Sequence, residues 1–207
     1  MKIVKSSILI LFLLQLLSGC IIIKHDSDSN VEYQPLVLSP KPEIPMSDIL
    51  VRSDRGDMIA FLPKDWFFID LEDKASSEIF AVAVNPDYTL SLVFSLKKAN
   101  ARNDQIIEQE GLLGLARICF EKRQKKTAAA VKAVGKPYKI KFGNLEFVVY
   151  EFSSTGGAIR SKAAVFISSI GQSYEVAIVP MDFRGRPIPD KDEINKIFNS
   201  VLATVQY

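Results

Sequence analysis

Only one of the 207 residues is histidine, two are cysteine and one is tryptophan, and the scarcity of the first two removes most catalytic chemistry at the outset. The single histidine, His25, sits in the polar run Lys24 to Asn30 near the amino terminus. Ser-His-Asp, Cys-His and multi-histidine metal sites all need an imidazole inside a folded pocket, so none is expected here. A strong charge of one sign is also missing: 26 basic residues face 24 acidic ones, which argues against nucleic acid as a partner. No glycine-rich phosphate loop is present either, because Ser154-Thr155-Gly156-Gly157 lacks both the lysine and a strand-to-helix setting. Internal repeats and low-complexity tracts are absent. From these absences no enzyme activity and no cofactor is expected.

What is present begins with an address. Lys2 and Lys5 precede an apolar run from Ile8 to Leu17, broken only by Gln15, with the length and polarity of a signal-peptide core. Ile21-Ile22-Ile23 prolongs it, yet Ser18-Gly19 interrupts the stretch and it stays short of the roughly 20 apolar residues that span a bilayer. The tetrapeptide Leu17-Ser18-Gly19-Cys20 resembles the lipobox of bacterial lipoproteins. That resemblance implies a signal peptide over residues 1–19, signal-peptidase recognition through Leu17, Ser18 and Gly19, and a lipidated Cys20 at the head of the mature chain. Small side chains at 18 and 19 suit a peptidase that must close around the backbone. Acylation of Cys20 then gives a lasting membrane anchor, since each buried methylene contributes about 0.8 kcal/mol and several chains exceed the threshold for stable attachment. Ile21 is not the aspartate that retains some lipoproteins at the inner membrane, so the resemblance leans towards the periplasmic side of the outer membrane. Losing Lys2 and Lys5 with the signal leaves the mature basic side chains equal in number to the 24 acidic ones. Cys119 is left without a partner, and a disulfide framework is excluded. Its helical setting between Ile118 and Phe120 reads as a small buried apolar residue, not a reactive thiol.

After the anchor, residues 20–55 read as a tether punctuated by Pro35, Pro40, Pro42 and Pro45, with a short strand near Ile49 to Arg52. Residues 56–207 read as a single α+β domain, near the common domain size. Strands are expected at Met58 to Leu62, Trp66 to Ile69, Glu78 to Val84 and Leu90 to Leu96, the last two joined by the turn Asn85-Pro86-Asp87. A long helix capped by Asn103 or Asp104 runs to Lys126, fraying through Ala128 to Val134. Its apolar positions cover most of the circumference, with Glu110, Gly114, Arg117 and Glu121 as a narrow polar stripe, so burial on several sides is expected. Gly111 and Gly114 suggest close approach of a neighbour. Strands Tyr138 to Phe142, Leu145 to Phe152, Ser161 to Ser168 and Tyr174 to Val179 follow, joined by tight turns, so the sheet is mainly antiparallel. Asp190 and Glu193 open a terminal helix whose stripe is Ile194, Ile197, Phe198, Val201, Leu202 and Val205.

This order of elements, together with Phe61-Leu62-Pro63-Lys64-Asp65-Trp66 as a strand ending in Pro-x-x-Trp and the closing Ile194 to Val201 segment, resembles the PsbP and Mog1 type of α/β/α sandwich. The resemblance covers Gly56 to Tyr207, and the hairpin turns, the long helix and the terminal amphipathic helix themselves predict a mainly antiparallel sheet of six to eight strands between helices. The resemblance implies a domain that binds other proteins and is not an enzyme.

Four local features carry weaker alternatives. Ser95-Leu96-Lys97-Lys98 has the Ser-x-x-Lys spacing of certain acyl transferases, but on a strand and without the companion motifs. Asp70, Glu72 and Asp73 read as a solvated turn more than a cation site. Trp66, Phe67 and Phe68 put bulky rings on both faces of one strand, which offers a ring near the surface as the alternative to the preferred reading, core packing between two layers. The group Lys122, Arg123, Lys125 and Lys126 complements a helix end and offers a possible surface contact with anionic lipid or an acidic partner. The resulting expectation is a non-catalytic, membrane-anchored envelope lipoprotein that binds or scaffolds an envelope protein. A carrier of a lipid or other apolar ligand, held between sheet and helix, is the alternative.

Overall fold

The computed structural model describes residues 35–71, 76–127, 130–154, 159–182 and 185–207. The expected signal peptide, the Leu17 to Cys20 motif and the tether up to residue 34 lie outside them, as do Glu72, Asp73 and residues 155–157. In chain order the strands and helices are β1 (Leu36–Leu38), β2 (Met46–Arg52), β3 (Ile59–Pro63), β4 (Phe67–Phe68), β5 (Ile79–Val84), β6 (Leu90–Lys97) and helix α1 (Ala101–Lys126). Then come β7 (Lys132–Phe142), β8 (Leu145–Ser153), β9 (Arg160–Ile167), β10 (Ser173–Pro180) and helix α2 (Lys191–Ala203). Eight strands form one sheet in the order β1-β7-β8-β9-β10-β6-β5-β4, and β2 with β3 forms a separate two-stranded ribbon. All pairings are antiparallel except that of β1 with β7. The α+β class and the mainly antiparallel sheet are as the sequence indicates.

Period-two alternation sorts side chains onto two faces of the sheet. Leu90, Leu92 and Phe94 of β6, Phe147 and Val149 of β8, and Tyr174, Val176 and Ile178 of β10 face α2 and the β2–β3 ribbon. Val148, Tyr150 and Phe152 of β8 and Ala177 of β10 face α1 instead. Both faces are therefore covered, which is why Ser91 and Ser95 are buried and β6 is not the half-buried strand its alternation suggests. All six residues of the stripe on α2 and just beyond it are buried, and Asp190 caps the helix by accepting from the Glu193 N–H at 2.9 Å.

Four local expectations are corrected. The sequence places the start of the domain at Gly56, yet Leu36–Leu38 pairs with Ile140–Phe142 and β2 pairs with β3. Pro40, Pro42 and Pro45 permit this because they fall between the strands, where no ladder N–H is needed. The Glu43 N–H donates to Ser200 Oγ at 2.9 Å and ties the connection to α2. Second, Asn100 caps α1 in place of Asn103 or Asp104: its side chain accepts from the Asn103 N–H at 3.0 Å, which makes Asn103 the third helical residue. Third, α1 is not wrapped on several sides, since only Gly114, Leu115, Ala116 and Cys119 are fully buried. Gly111 adopts φ 61°, ψ −143°, a conformation open to glycine, and bends the helix there. Gly114 lies in the bend, where a Cβ would meet the Ile106 carbonyl oxygen at 2.9 Å. Fourth, residues 132–134 are strand, not frayed helix; Gly135 at φ 73° and Pro137 make a bulge that shifts register between Val134 and Tyr138.

Candidate functional site

The two-residue strand β4 ends the large sheet, and its position there explains the first feature of the surface. Pro63 ends β3, Asp65 turns the chain at φ 68°, and Trp66 is buried, so Phe67 and Phe68 emerge on an edge with β5 on one side only. The rings of Phe67 and Phe68 are 37% and 43% exposed, which corrects the expectation that they pack in the core. Leu50 on β2 and Ile69 just after β4 are exposed to a similar extent. Between the β2–β3 ribbon and the β4–β5 edge lies an open groove of about 710 Å³ with Leu50, Phe68, Ile69, Leu71 and Phe80 in its wall and Arg52 at its rim. Phe80 also packs edge-on against Tyr174 at 6.1 Å, so the groove is continuous with the core. Leu50, Ile69 and Leu71 are absent from the sequence-derived candidates; the only signal for them is apolar residues flanking the Trp66 to Phe68 rings.

The basic group at the end of α1 is dispersed into separate contacts. Arg123 reaches across to Glu175 of β10, with Nη2 to Oε1 at 3.2 Å, and stacks over the Phe152 ring at 4.3 Å. Lys122 pairs with Glu78, Lys126 donates to Ser76 Oγ at 3.2 Å, and Lys125 is exposed. Glu175 also takes Lys97 and the Tyr150 hydroxyl, and Ser95 Oγ donates to it at 3.3 Å. Burial works against ionisation of Glu175, but Lys97 and Arg123 outweigh it and hold the carboxyl down at about 2. Burial by itself pushes Lys97 and Arg123 down, and Glu175 more than restores both. No sequence argument singled out Glu175, although a lone carboxylate inside the apolar run Tyr174 to Val179 is the available signal.

The remaining sequence candidates separate in space. Ser95 is buried against Glu175, while Lys98 points elsewhere and donates to Ser77 Oγ at 2.9 Å, so no serine–lysine pair forms. Cys119 is buried, and burial raises its thiol far above the ordinary range, followed by the effect of Glu175. Asp57 accepts hydroxyls from Ser168 at 2.6 Å, Tyr174 at 2.6 Å and Ser53 at 2.8 Å, fastening the β2–β3 turn to the β9–β10 hairpin. Burial raises the Asp57 pKa, but the three hydroxyls outweigh this and leave it lowered; burial and the bond to Asp57 push Tyr174 up to about 12. Among the described residues no three His, Cys, Asp or Glu side chains gather as a metal site, and no helix is long and apolar enough to cross a membrane.

No protein-family model matches this sequence, and no curated protein matches it. Solved structures do. The solution structure of cyanobacterial PsbP (CyanoP) from Synechocystis sp. PCC 6803 superposes with a TM-score of 0.57 at 12% identity, covering 77% of this chain and 92% of that one. The fold is therefore PsbP-like, with the sheet between α1 on one face and α2 on the other. The Ran-binding protein Mog1p of Saccharomyces cerevisiae gives a TM-score of 0.47 at 12% identity over 78% of this chain and 95% of its own. A Bacteroides thetaiotaomicron crystal structure gives 0.38 at 17% identity over 76% of this chain and 47% of that one.

Proposed function

We propose that this protein is a non-catalytic, lipid-anchored component of a bacterial cell envelope, and that the groove between the β2–β3 ribbon and the β4–β5 edge docks another envelope protein. The observation that carries the docking reading is the gathering of Leu50, Phe68 and Ile69, each at least 40% exposed, around one groove at a sheet edge. Contiguous exposed apolar surface of this kind marks interaction sites in soluble domains, and an unpaired strand edge adds backbone donors and acceptors for an extended segment. The anchoring reading rests on Leu17-Ser18-Gly19-Cys20 alone.

Two experiments separate the readings. Metabolic labelling with an alkynyl fatty acid should tag the wild type and not Cys20→Ser; labelling that survives this substitution contradicts the anchor. Crosslinked complexes recovered from the envelope should be lost in Phe68→Asp and Leu50→Asp and retained in Glu121→Ala on the opposite face. Equal recovery from all three contradicts the groove.

A second reading is the apolar-ligand carrier. A crevice of about 340 Å³ between α1 and the β7–β8 pair is walled by Leu113, Ala116, Phe120, Pro137 and Tyr150. That lies at the small end of ligand cavities. Native mass spectrometry of the protein extracted from its own membrane, showing no retained ligand, removes it.

A further inference from the structure

The carboxyl-terminal turn of α1 overhangs β6 and β10, and the crevice beneath it, about 190 Å³, is lined among the described residues by Lys97, Lys122, Arg123 and Lys126, opposed by Glu78 and Glu175. Glu175 is shared between Lys97 and Arg123, and Glu78 is taken by Lys122. Among the described residues Lys126 reaches only the Ser76 hydroxyl, and the described lining carries two more positive charges than negative ones. The cations are graded by depth: the side chains of Lys97, Arg123 and Lys122 are 15%, 26% and 43% exposed.

A helix carboxyl terminus ordinarily repels anions. Here the carbonyls nearest the crevice are already occupied, because the Thr127 N–H and hydroxyl donate to Arg123 O and Gln124 O at 3.0 to 3.3 Å. We propose that this crevice is a binding site for a phosphate monoester, whose two negative charges near neutral pH match the surplus and whose oxygens accept from Lys122, Lys126 and the partly exposed guanidinium of Arg123. Lys122 and Lys126 form its mouth and Lys97 and Arg123 its floor. The same chemistry is offered by free phosphate esters and by a lipid head group carrying a terminal phosphate. The site is separate from the docking groove and does not depend on it.

Phosphorus NMR titration of the full-length protein in neutral detergent micelles tests this, using inorganic phosphate, glycerol 3-phosphate and lysophosphatidate as probes. Saturable binding is expected, weakened about tenfold by Lys126→Ala and by Lys122→Ala, each of which removes one charge at the mouth without touching the Glu175 network. Lys125→Ala, outside the crevice, should bind as the wild type does. Lysophosphatidate binding at least about tenfold more tightly than glycerol 3-phosphate assigns the site to lipid head groups, and any smaller difference assigns it to soluble esters. Absence of saturable binding to all three probes, or binding that Lys122→Ala and Lys126→Ala leave unchanged, overturns the proposal.

Discussion

On the side of α2 and the β2–β3 ribbon, the sheet presents Phe94, Phe147, Phe166 and Tyr174, with Phe147 and Phe166 5.3 Å apart and Phe166 stacked on Tyr207 at 4.8 Å. On the side of α1, the same strands present Ser91, Ser95 and Glu175 among Val148, Val165 and Ala177. One face is joined by aromatic packing that needs no partner-specific geometry. The other has fewer rings, Phe120, Tyr150 and Phe152, and combines them with small apolar residues and a buried carboxylate that cross-links β6, β8, β10 and α1 through Lys97, Tyr150 and Arg123. A charge network is worth little net stability compared with a well-packed apolar substitute, yet it fixes the position of α1 and is costly to break on one side only. The aromatic face opens at one edge, where its core continues into the groove at Phe80 and Phe68.

The largest expected effect is on the aromatic face. Phe198 is fully buried on α2, and Phe198→Ala should lower unfolding free energy by about 4 kcal/mol in a urea titration. On the α1 face, Glu175→Gln leaves Lys97 and Arg123 without their shared carboxylate and should cost about 3 kcal/mol. Replacing the three together, as Lys97→Met, Glu175→Leu and Arg123→Met, should recover most of that loss. A single Glu175→Gln substitution that costs nothing would erase the distinction between the faces.

The same contrast is read by acid. The folded pKa of Glu175, about 2, lies below its ordinary value of 4.5. Its contribution is thus fully present above pH 4.5 and is lost as pH falls towards 2, an effect on the order of 3 kcal/mol. Asp57, whose pKa is also lowered, contributes in the same direction from the aromatic face. Acid unfolding of Glu175→Gln should therefore lose the Glu175 component and keep that of Asp57, and an unchanged pH profile would contradict the assignment. A smaller loss, about 1 to 2 kcal/mol, is expected for Gly111→Ala, because its positive φ is strained for any residue with a Cβ. Groove substitutions such as Phe68→Asp should shift stability by about 0.5 kcal/mol or less, since the ring is already partly exposed.

The sequence made the aromatic face legible and left the other obscure. The α2 stripe, the β5–β6 hairpin and the β9–β10 hairpin follow from periodicity and turn residues, because each rests on contacts close in sequence. Asn85 shows this locally: its side chain accepts from the Thr89 and Leu90 N–H groups and closes the expected turn. Strand β1 was not visible, and β2 was visible only as a short strand near Ile49 to Arg52 inside the tether, since prolines around them resemble a linker and their partners Ile140 and Ala60 are decided by tertiary pairing. The α1 face was misjudged for a related reason. Apolar residues on most sides of a helix predict wide burial, but the bend at Gly111 and a single supporting sheet leave much of that surface half-covered. The Glu175 network and the groove leave only faint local signals, a lone carboxylate in an apolar run and apolar residues beside the Trp66 to Phe68 rings, because each joins residues far apart in the chain.

Site-specific photocrosslinking in living cells tests the docking groove most directly. A photoreactive residue placed at Phe68 or Leu50, within the groove, is compared with one at Lys125 or Glu121 on the exposed surface of α1. Docking at the groove requires one discrete protein adduct from both groove positions and none from the α1 positions. Adducts from α1 alone, or none from either groove position while the protein remains folded and in the membrane fraction, contradict it.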